Sequence, residues 1–179
     1  MAVKARPNRR PRPPLDEPAL ERLALNYVGR YATTRSKLGA YLLRKLRDRG
    51  WSGPGEPSVE AIVARLASLG YIDDRAFANA CAAALKRRGY GERRIREAFR
   101  AAGIAAEDAE LWEGAGAGGL EAALRLARRR AIGPFAAEMP DRAGREKAFA
   151  ILLRAGHPPD LARRVAYCRP GEFPDADGR

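Results

Sequence analysis

Residues 59–104 decide the fold, and they read VEAIVARLASLGYIDDRAFANACAAALKRRGYGERRIREAFRAAGI. Apolar residues recur every three or four positions, the spacing that places them on one face of an α-helix. The pattern stops at Gly70, Gly89 and Gly103. Glycine suits these stops because the position after a helix commonly takes a left-handed backbone. The stretch therefore predicts three consecutive helices.

Helical spacing continues on both sides of this stretch. The further apolar stripes are Leu20, Leu23, Ala24, Tyr27, Val28 and Tyr31; Leu38, Leu42 and Leu46; Leu120, Ala123, Leu124 and Ala127; Phe149 and Leu152; and Leu161 and Val165. A short helix is expected over residues 106–112. No segment alternates between apolar and polar residues, the pattern of a half-buried strand. The sequence therefore predicts an all-α protein without a sheet.

Three glycines indicate an internal repeat. Gly50, Gly103 and Gly156 lie 53 residues apart, and each follows an apolar residue by four positions. Those apolar residues are Leu46, Phe99 and Leu152. Periods of this size are typical of stacked helical units, although a coincidence of spacing in a glycine-rich chain is the alternative. We expect an elongated tandem array of three three-helix repeats.

Composition predicts where these repeats begin and end. Residues 1–18 are rich in proline and arginine, which favours a disordered basic leader, either an electrostatic arm or an inert extension. Residues 114–119 read GAGAGG, which is typical of a flexible linker, and the polar residues 169–179 suggest a loose tail. The repeats are then predicted at residues 19–71, 72–113 and 120–168.

Several short motifs resemble the signature of the RecX family, whose members regulate the RecA recombinase. The motifs are GYIDD at 70–74, FA at 77–78, KRRG at 86–89, RI at 94–95 and GI at 103–104. The resemblance implies three tandem three-helix units that lie in the helical groove of the RecA filament on single-stranded DNA. It also implies inhibition of the ATPase, strand-exchange and co-protease activities of that filament.

The charge of the chain suggests an anionic partner. The formal net charge is +12, from 34 basic and 22 acidic residues. Such an excess favours a polyanion such as nucleic acid, an acidic protein or a membrane surface. The alternative is a solvated surface with an arginine-rich composition. No apolar run is long enough to span a membrane, and no hydrophobic segment follows the basic N-terminus as in a secretory signal, so we expect a cytoplasmic protein without a membrane partner. We also expect a monomer.

Arginines cluster on the expected outer faces of the helices. Arg93, Arg96 and Arg100 stand at positions i, i+3 and i+7, which places them on one face. We predict that eleven arginines bind partner or DNA phosphates: Arg44, Arg47, Arg87, Arg88, Arg93, Arg94, Arg96, Arg100, Arg128, Arg129 and Arg130. A guanidinium group binds phosphates and carboxylates equally well, so an acidic protein groove is an alternative target. Most aromatic residues fall on expected inner faces, so few stacking platforms for single strands are expected.

No catalytic, metal or cofactor site is predicted. Gly114, Gly116 and Gly119 match the spacing of a dinucleotide-binding loop, but a predicted helix end precedes them where a strand is required. His157 has no nucleophile near it in sequence and is interpreted as a helix cap or surface residue. Asp73 and Asp74 are interpreted as helix-capping residues. The sequence thus favours a non-enzymatic regulator, and the alternative is a sequence-indifferent DNA-binding or architectural protein.

Overall fold

The computed structural model describes residues 12–110 and 118–174, and this part of the chain is helical. Its nine α-helices are α1 Glu17–Val28, α2 Arg35–Arg49, α3 Val59–Ser68, α4 Asp74–Arg87, α5 Glu92–Ala102, α6 Ala106–Glu110, α7 Gly119–Arg130, α8 Arg142–Arg154 and α9 Pro159–Ala166. A single 3₁₀ turn, Gly133–Phe135, follows α7. The predicted all-α class is confirmed.

The chain divides into two compact units. Unit 1 is Met1–Asp73 and unit 2 is Asp74–Arg179, so the division falls where α4 begins. In unit 1, helices α1, α2 and α3 pack around one apolar core. Its fully buried members include Leu20, Leu38 and Leu42, and Ile72 closes it at 3% exposure.

Residues 12–18 differ from the predicted disordered leader. Leu15 is completely buried in the unit 1 core. Its N–H donates to the carbonyl of Gly50 (2.9 Å), and its carbonyl accepts from the N–H of Ser52 (2.8 Å). Arg49 donates two hydrogen bonds to the carbonyl of Pro13. Composition did not predict this segment because its hydrogen bonds join residues far apart in sequence; residues 1–11 lie outside the described part.

Unit 2 contains two apolar clusters. The first is formed by α4, α5 and α6, where Ile95 and Phe99 are almost fully buried. The second is formed by α7, α8 and α9, where Leu152 and Val165 are fully buried. Much of both clusters is alanine, whose small side chain allows close approach of the helices.

Main-chain atoms join the two clusters of unit 2. The N–H of Gly91 donates to the carbonyl of Ala155 (2.9 Å), and the N–H of Arg93 donates to the carbonyl of Gly156 (3.2 Å). A Cβ atom at position 91 would lie 2.4 Å from the carbonyl carbon of Gly156. Only glycine fits such an approach, so Gly91 fixes the beginning of α5 against the end of α8.

The three glycines of the predicted repeat do not end their helices alike. After Gly103 and Gly156 the next N–H, of Ile104 or His157, donates to the carbonyl five residues earlier, as in a Schellman motif. Gly50 instead has φ 79° and ψ 173°, a positive-φ conformation that is open almost only to glycine, and its carbonyl accepts the hydrogen bond from Leu15. The three-repeat organisation therefore stays a prediction.

The ends of unit 2 also differ in detail from expectation. Helix α6 ends at Glu110, residues 111–117 lie outside the described part, and α7 begins at Gly119, inside the predicted linker. The predicted loose tail contacts the 3₁₀ turn: the N–H of Gly171 donates to the carbonyl of Pro134 (2.9 Å), and the rings of Phe135 and Phe173 meet edge to face. These contacts hold residues 171–173, and residues 175–179 lie outside the described part.

Candidate partner-binding surface

All eleven arginines of the predicted binding surface are solvent-exposed. Two lie in unit 1, on α2, and nine lie in unit 2. The nine are Arg87 at the end of α4 and Arg88 just after it, Arg93, Arg94, Arg96 and Arg100 on α5, and Arg128, Arg129 and Arg130 at the end of α7. Because they are exposed, they form a basic surface on each unit. Some of their guanidinium groups have partners within the described part of the protein and others do not.

The ends of α4 and α7 lie together in unit 2. Arg129 donates a hydrogen bond to the carbonyl of Arg88, and Arg125 donates to the carbonyl of Lys86 (3.3 Å). The last carbonyls of a helix lack partners within it and carry partial negative charge, so guanidinium groups are favoured there. The two basic ends are therefore brought side by side, although they are more than thirty residues apart in sequence.

The arginines of α5 form ion pairs on their own helix. Arg93 and Arg94 each contact Glu97 at 3.0 Å, and Arg96 contacts Glu92 at 2.7 Å. The hydrogen bond from Arg94 is the main reason that the pKa of Glu97 lies below its ordinary value. Exposed pairs of this kind add little to stability, because solvent screens them. These arginines can exchange their carboxylate partners for others at little cost, but on the predicted face of α5 most of them are already paired.

Arg93 has a second role in unit 2. Its guanidinium donates to the carbonyl of Leu153 (2.7 Å) in the last turn of α8. It thus supports the junction between α5 and α8 in addition to its predicted outward role. A substitution at Arg93 would change both the surface charge and this junction.

Several of the predicted arginines lie over aromatic rings. The Cζ atoms of Arg44, Arg88 and Arg128 lie 5.7, 5.3 and 5.0 Å from the ring centroids of Tyr41, Tyr90 and Phe135 respectively. Such cation–π contacts hold the guanidinium in place while leaving its N–H groups available. Within the described residues, the guanidinium groups of four of the eleven arginines make no ion pair, hydrogen bond or ring contact: Arg47, Arg87, Arg100 and Arg130. The charge of Arg100 nevertheless helps to lower the pKa of Glu97.

His157 is buried, in contrast to the predicted cap or surface position. It is 3% exposed, and its Nε2 atom lies 3.0 Å from the carbonyl oxygen of Gly89. The contact links the corner after α8 to the corner after α4, 68 residues apart. Within the described part, its Nδ1 atom has no hydrogen-bond partner. Burial lowers the pKa of His157 below its ordinary value of 6.5, while the Gly89 carbonyl opposes that shift.

The stability of unit 2 is expected to fall as the pH drops below about 6.5. Because the folded-state pKa of His157 lies below the unfolded value, the unfolded chain takes up the proton first. The stabilisation is complete above pH 6.5 and is lost as the pH falls through the folded-state pKa. Urea unfolding of the wild type and of His157→Gln between about pH 7 and pH 5 measures it, and His157 is the only histidine of the chain. A constant difference between the two proteins over this range would contradict the assignment.

The other residues considered for chemistry occupy structural positions. Helix α4 begins at Asp74, so Asp73 stands at the capping position, and Asp74 is buried. Within the described residues, neither Cys81 nor Cys168 forms a disulfide bond. Helix α6 lies before the glycine-rich segment, where a dinucleotide site needs a strand. Within residues 12–110 and 118–174, no cluster of potential metal ligands occurs, and no helix has the length and apolarity to cross a membrane.

An aromatic cluster in unit 1 was not predicted. Tyr27, Tyr31 and Tyr41 lie together, and Tyr31 is 58% exposed. The apolar stripe predicted for the first helix included Tyr31, but α1 ends at Val28, so the helical spacing no longer applies there. The neighbouring Gly29 was the available signal for that end.

Comparisons with known proteins identify relatives over most of the chain. A curated relative from Myxococcus xanthus (strain DK1622), named Regulatory protein RecX, is 34% identical over 161 residues, covering 84% of this chain and 86% of the relative. A second of the same name, from Thermus thermophilus, is 31% identical over 145 residues, covering 75% and 82%. No family model matches the chain.

Solved structures have the same fold. The crystal structure of RecX from Lactobacillus salivarius matches with a TM-score of 0.62 at 21% identity, over 82% of this chain and 91% of that one. A crystal structure of regulatory protein RecX matches with a TM-score of 0.61 at 22% identity, over 83% and 72%. The resemblance seen in the short motifs is confirmed: the chain belongs to the RecX family of regulatory proteins.

Proposed function

We propose that the protein binds the RecA filament on single-stranded DNA and inhibits its ATPase, strand-exchange and co-protease activities, acting as a monomer without catalysis of its own. Family membership carries the proposal, since the relatives are named regulatory proteins. The nine exposed arginines of unit 2 support it, because guanidinium groups bind both the phosphates of the strand and the carboxylates of a protein.

The proposed organisation is three three-helix repeats: α1–α3, α4–α6 and α7–α9. One apolar cluster drawn from each set supports it. A chain with several basic helical units can contact more than one protomer of a filament. Simultaneous weak contacts raise the overall affinity without any single strong contact, so the filament is bound in preference to free monomers.

DNA-dependent ATP hydrolysis by the cognate recombinase tests the proposal. We expect turnover to fall at amounts of this protein well below one per recombinase protomer, because one molecule on the filament affects several protomers. The control is the same assay with an equal amount of an unrelated protein of similar net charge. Full turnover at equimolar amounts would contradict the proposal.

The second candidate is a sequence-indifferent DNA-binding protein that acts without a recombinase. The exposed guanidinium groups of Arg47, Arg87, Arg100 and Arg130 favour it, because they can neutralise phosphates on any sequence. Tight, salt-sensitive binding to naked DNA together with unchanged ATP turnover would select this candidate.

A further inference from the structure

Three tyrosines form an aromatic cluster on the surface of unit 1. The rings of Tyr27 and Tyr41 stack with centroids 4.3 Å apart and planes inclined by 25°, and the centroid of Tyr31 lies 5.3 Å from that of Tyr27. Tyr27 and Tyr41 are half-buried and pack against the core of unit 1, whereas Tyr31 is 58% exposed. The cluster thus holds the exposed ring of Tyr31 against Tyr27, which is itself stacked on Tyr41.

A cavity of about 380 Å³ opens at this cluster. Beside the three tyrosines it is lined by Asn26, Arg30 and Arg44. Among the described residues, no carboxylate lines it. The Cζ atom of Arg44 and the Nζ atom of Lys45 lie 5.7 and 5.4 Å from the ring centroid of Tyr41. The cavity therefore combines aromatic surface with positive charge.

This combination suits single-stranded nucleic acid. A base has two π faces that stack on an aromatic ring whatever its identity, and the phosphates on either side of it are matched by arginine. The base faces of a duplex are covered by neighbouring base pairs, so a duplex cannot stack on a side chain without being distorted. An acidic peptide would use Arg30 and Arg44 but would gain little from the ring of Tyr31.

We propose that the tyrosine cavity of unit 1 binds single-stranded nucleic acid, with one base stacked on Tyr31 and with Arg30 and Arg44 contacting the adjacent phosphates. The proposal rests on the proposed function for the identity of the strand, the DNA of the filament. It adds a base contact to an interface that was otherwise assigned only to phosphates and carboxylates.

Binding of a fluorescein-labelled oligo(dT) to the full chain, followed by anisotropy, tests the proposal. Tyr31→Ala is expected to weaken binding about 10-fold, because the stacking of one base is lost. Tyr31→Phe keeps the ring and is expected to stay within about twofold of wild type. Tyr71→Ala is the matched control: Tyr71 is also in unit 1 and also 58% exposed, but lies outside the cavity.

A second ligand separates stacking from other effects of the substitution. On an oligomer of the same length whose nucleotides lack bases, Tyr31→Ala should bind like the wild type, since no base is left to stack. Arg30→Ala should weaken the binding of both oligomers and lower the slope of log K against log salt by about 1. Circular dichroism of each variant checks that the helices are retained.

Three results would overturn the proposal. In the first, Tyr31→Ala loses as much affinity for the baseless oligomer as for oligo(dT). In the second, Tyr71→Ala loses as much affinity for oligo(dT) as Tyr31→Ala does. In the third, Tyr31→Ala binds oligo(dT) with wild-type affinity. The second result would show that the affinity for oligo(dT) depends on exposed aromatic side chains in general. The third would indicate that the cavity binds a protein partner instead. The assay contains no recombinase, so its failure is distinct from a failure of ATPase inhibition.

Discussion

Gly91→Ala is expected to lower the free energy of unfolding of unit 2 by about 3 kcal/mol. A methyl group there would lie 2.4 Å from the carbonyl carbon and oxygen of Gly156 and 2.5 Å from the nitrogen of His157. All three are main-chain atoms, which cannot turn aside as a flexible side chain can. The backbone would have to separate, weakening the hydrogen bonds that Gly91 and Arg93 donate to Ala155 and Gly156.

Urea unfolding of the full chain, followed by circular dichroism, measures this loss, and hydrogen exchange at α5 and α8 locates it. The matched control is Gly119→Ala at the beginning of α7, where, among the described residues, the new methyl group would meet only the side chain of Leu161 at 3.7 Å. That substitution is expected to leave stability unchanged or to raise it by up to about 1 kcal/mol. Equal stabilities of the two variants would show that the junction tolerates a larger residue at position 91.

Joint replacement of Arg87, Arg100 and Arg130 by alanine is expected to weaken binding to naked single-stranded DNA about 100-fold at physiological salt. These guanidinium groups are exposed, and within the described residues none makes a hydrogen bond, ion pair or ring contact. Removing Arg100 also removes a charge that lowers the pKa of Glu97. Each lost phosphate contact also lowers the slope of log K against log salt by about 0.7–0.9, so the slope should fall by about 2–3. Inhibition of the recombinase ATPase should require correspondingly more protein.

Arg22, Arg75 and Arg142 supply the matched control. They are exposed, lie outside the predicted surface, and their joint replacement by alanine lowers the net charge by the same amount. If both triple variants lose affinity equally, binding depends on total charge and not on the predicted surface. If the first variant keeps wild-type affinity and salt slope, Arg87, Arg100 and Arg130 do not contact the strand.

Local patterns predicted most of the helices because they depend on residues close in sequence. The apolar spacing and the stops at Gly70, Gly89 and Gly103 indicated three helices within residues 59–104, and α3, α4 and α5 lie there. The pairing of Leu15 with Gly50 and the contact of His157 with Gly89 could not be predicted in this way, since each joins residues dozens of positions apart.

The prediction of the arginine surface was incomplete for a different reason. Charge and helical spacing correctly indicated that the arginines are exposed. The same spacing places Glu97 one turn after Arg93 and Arg96 one turn after Glu92, so the ion pairs of α5 were readable in the sequence and were missed. The exposure of Tyr31 depends on where α1 ends, and helix ends are the least certain part of an interpretation based on periodicity.

The main-chain junction of unit 2 has a consequence for truncation. A chain cut short before α7 would leave the amides of Gly91 and Arg93 and the carbonyl of Gly89 without their partners. In many repeat proteins the stability is approximately a sum of the stabilities of single repeats and of the interfaces between neighbours, so the loss of one repeat has a graded effect. Here the deletion would remove hydrogen bonds from the remaining helices, so α4–α6 and α7–α9 are expected to fold and unfold together as one cooperative unit.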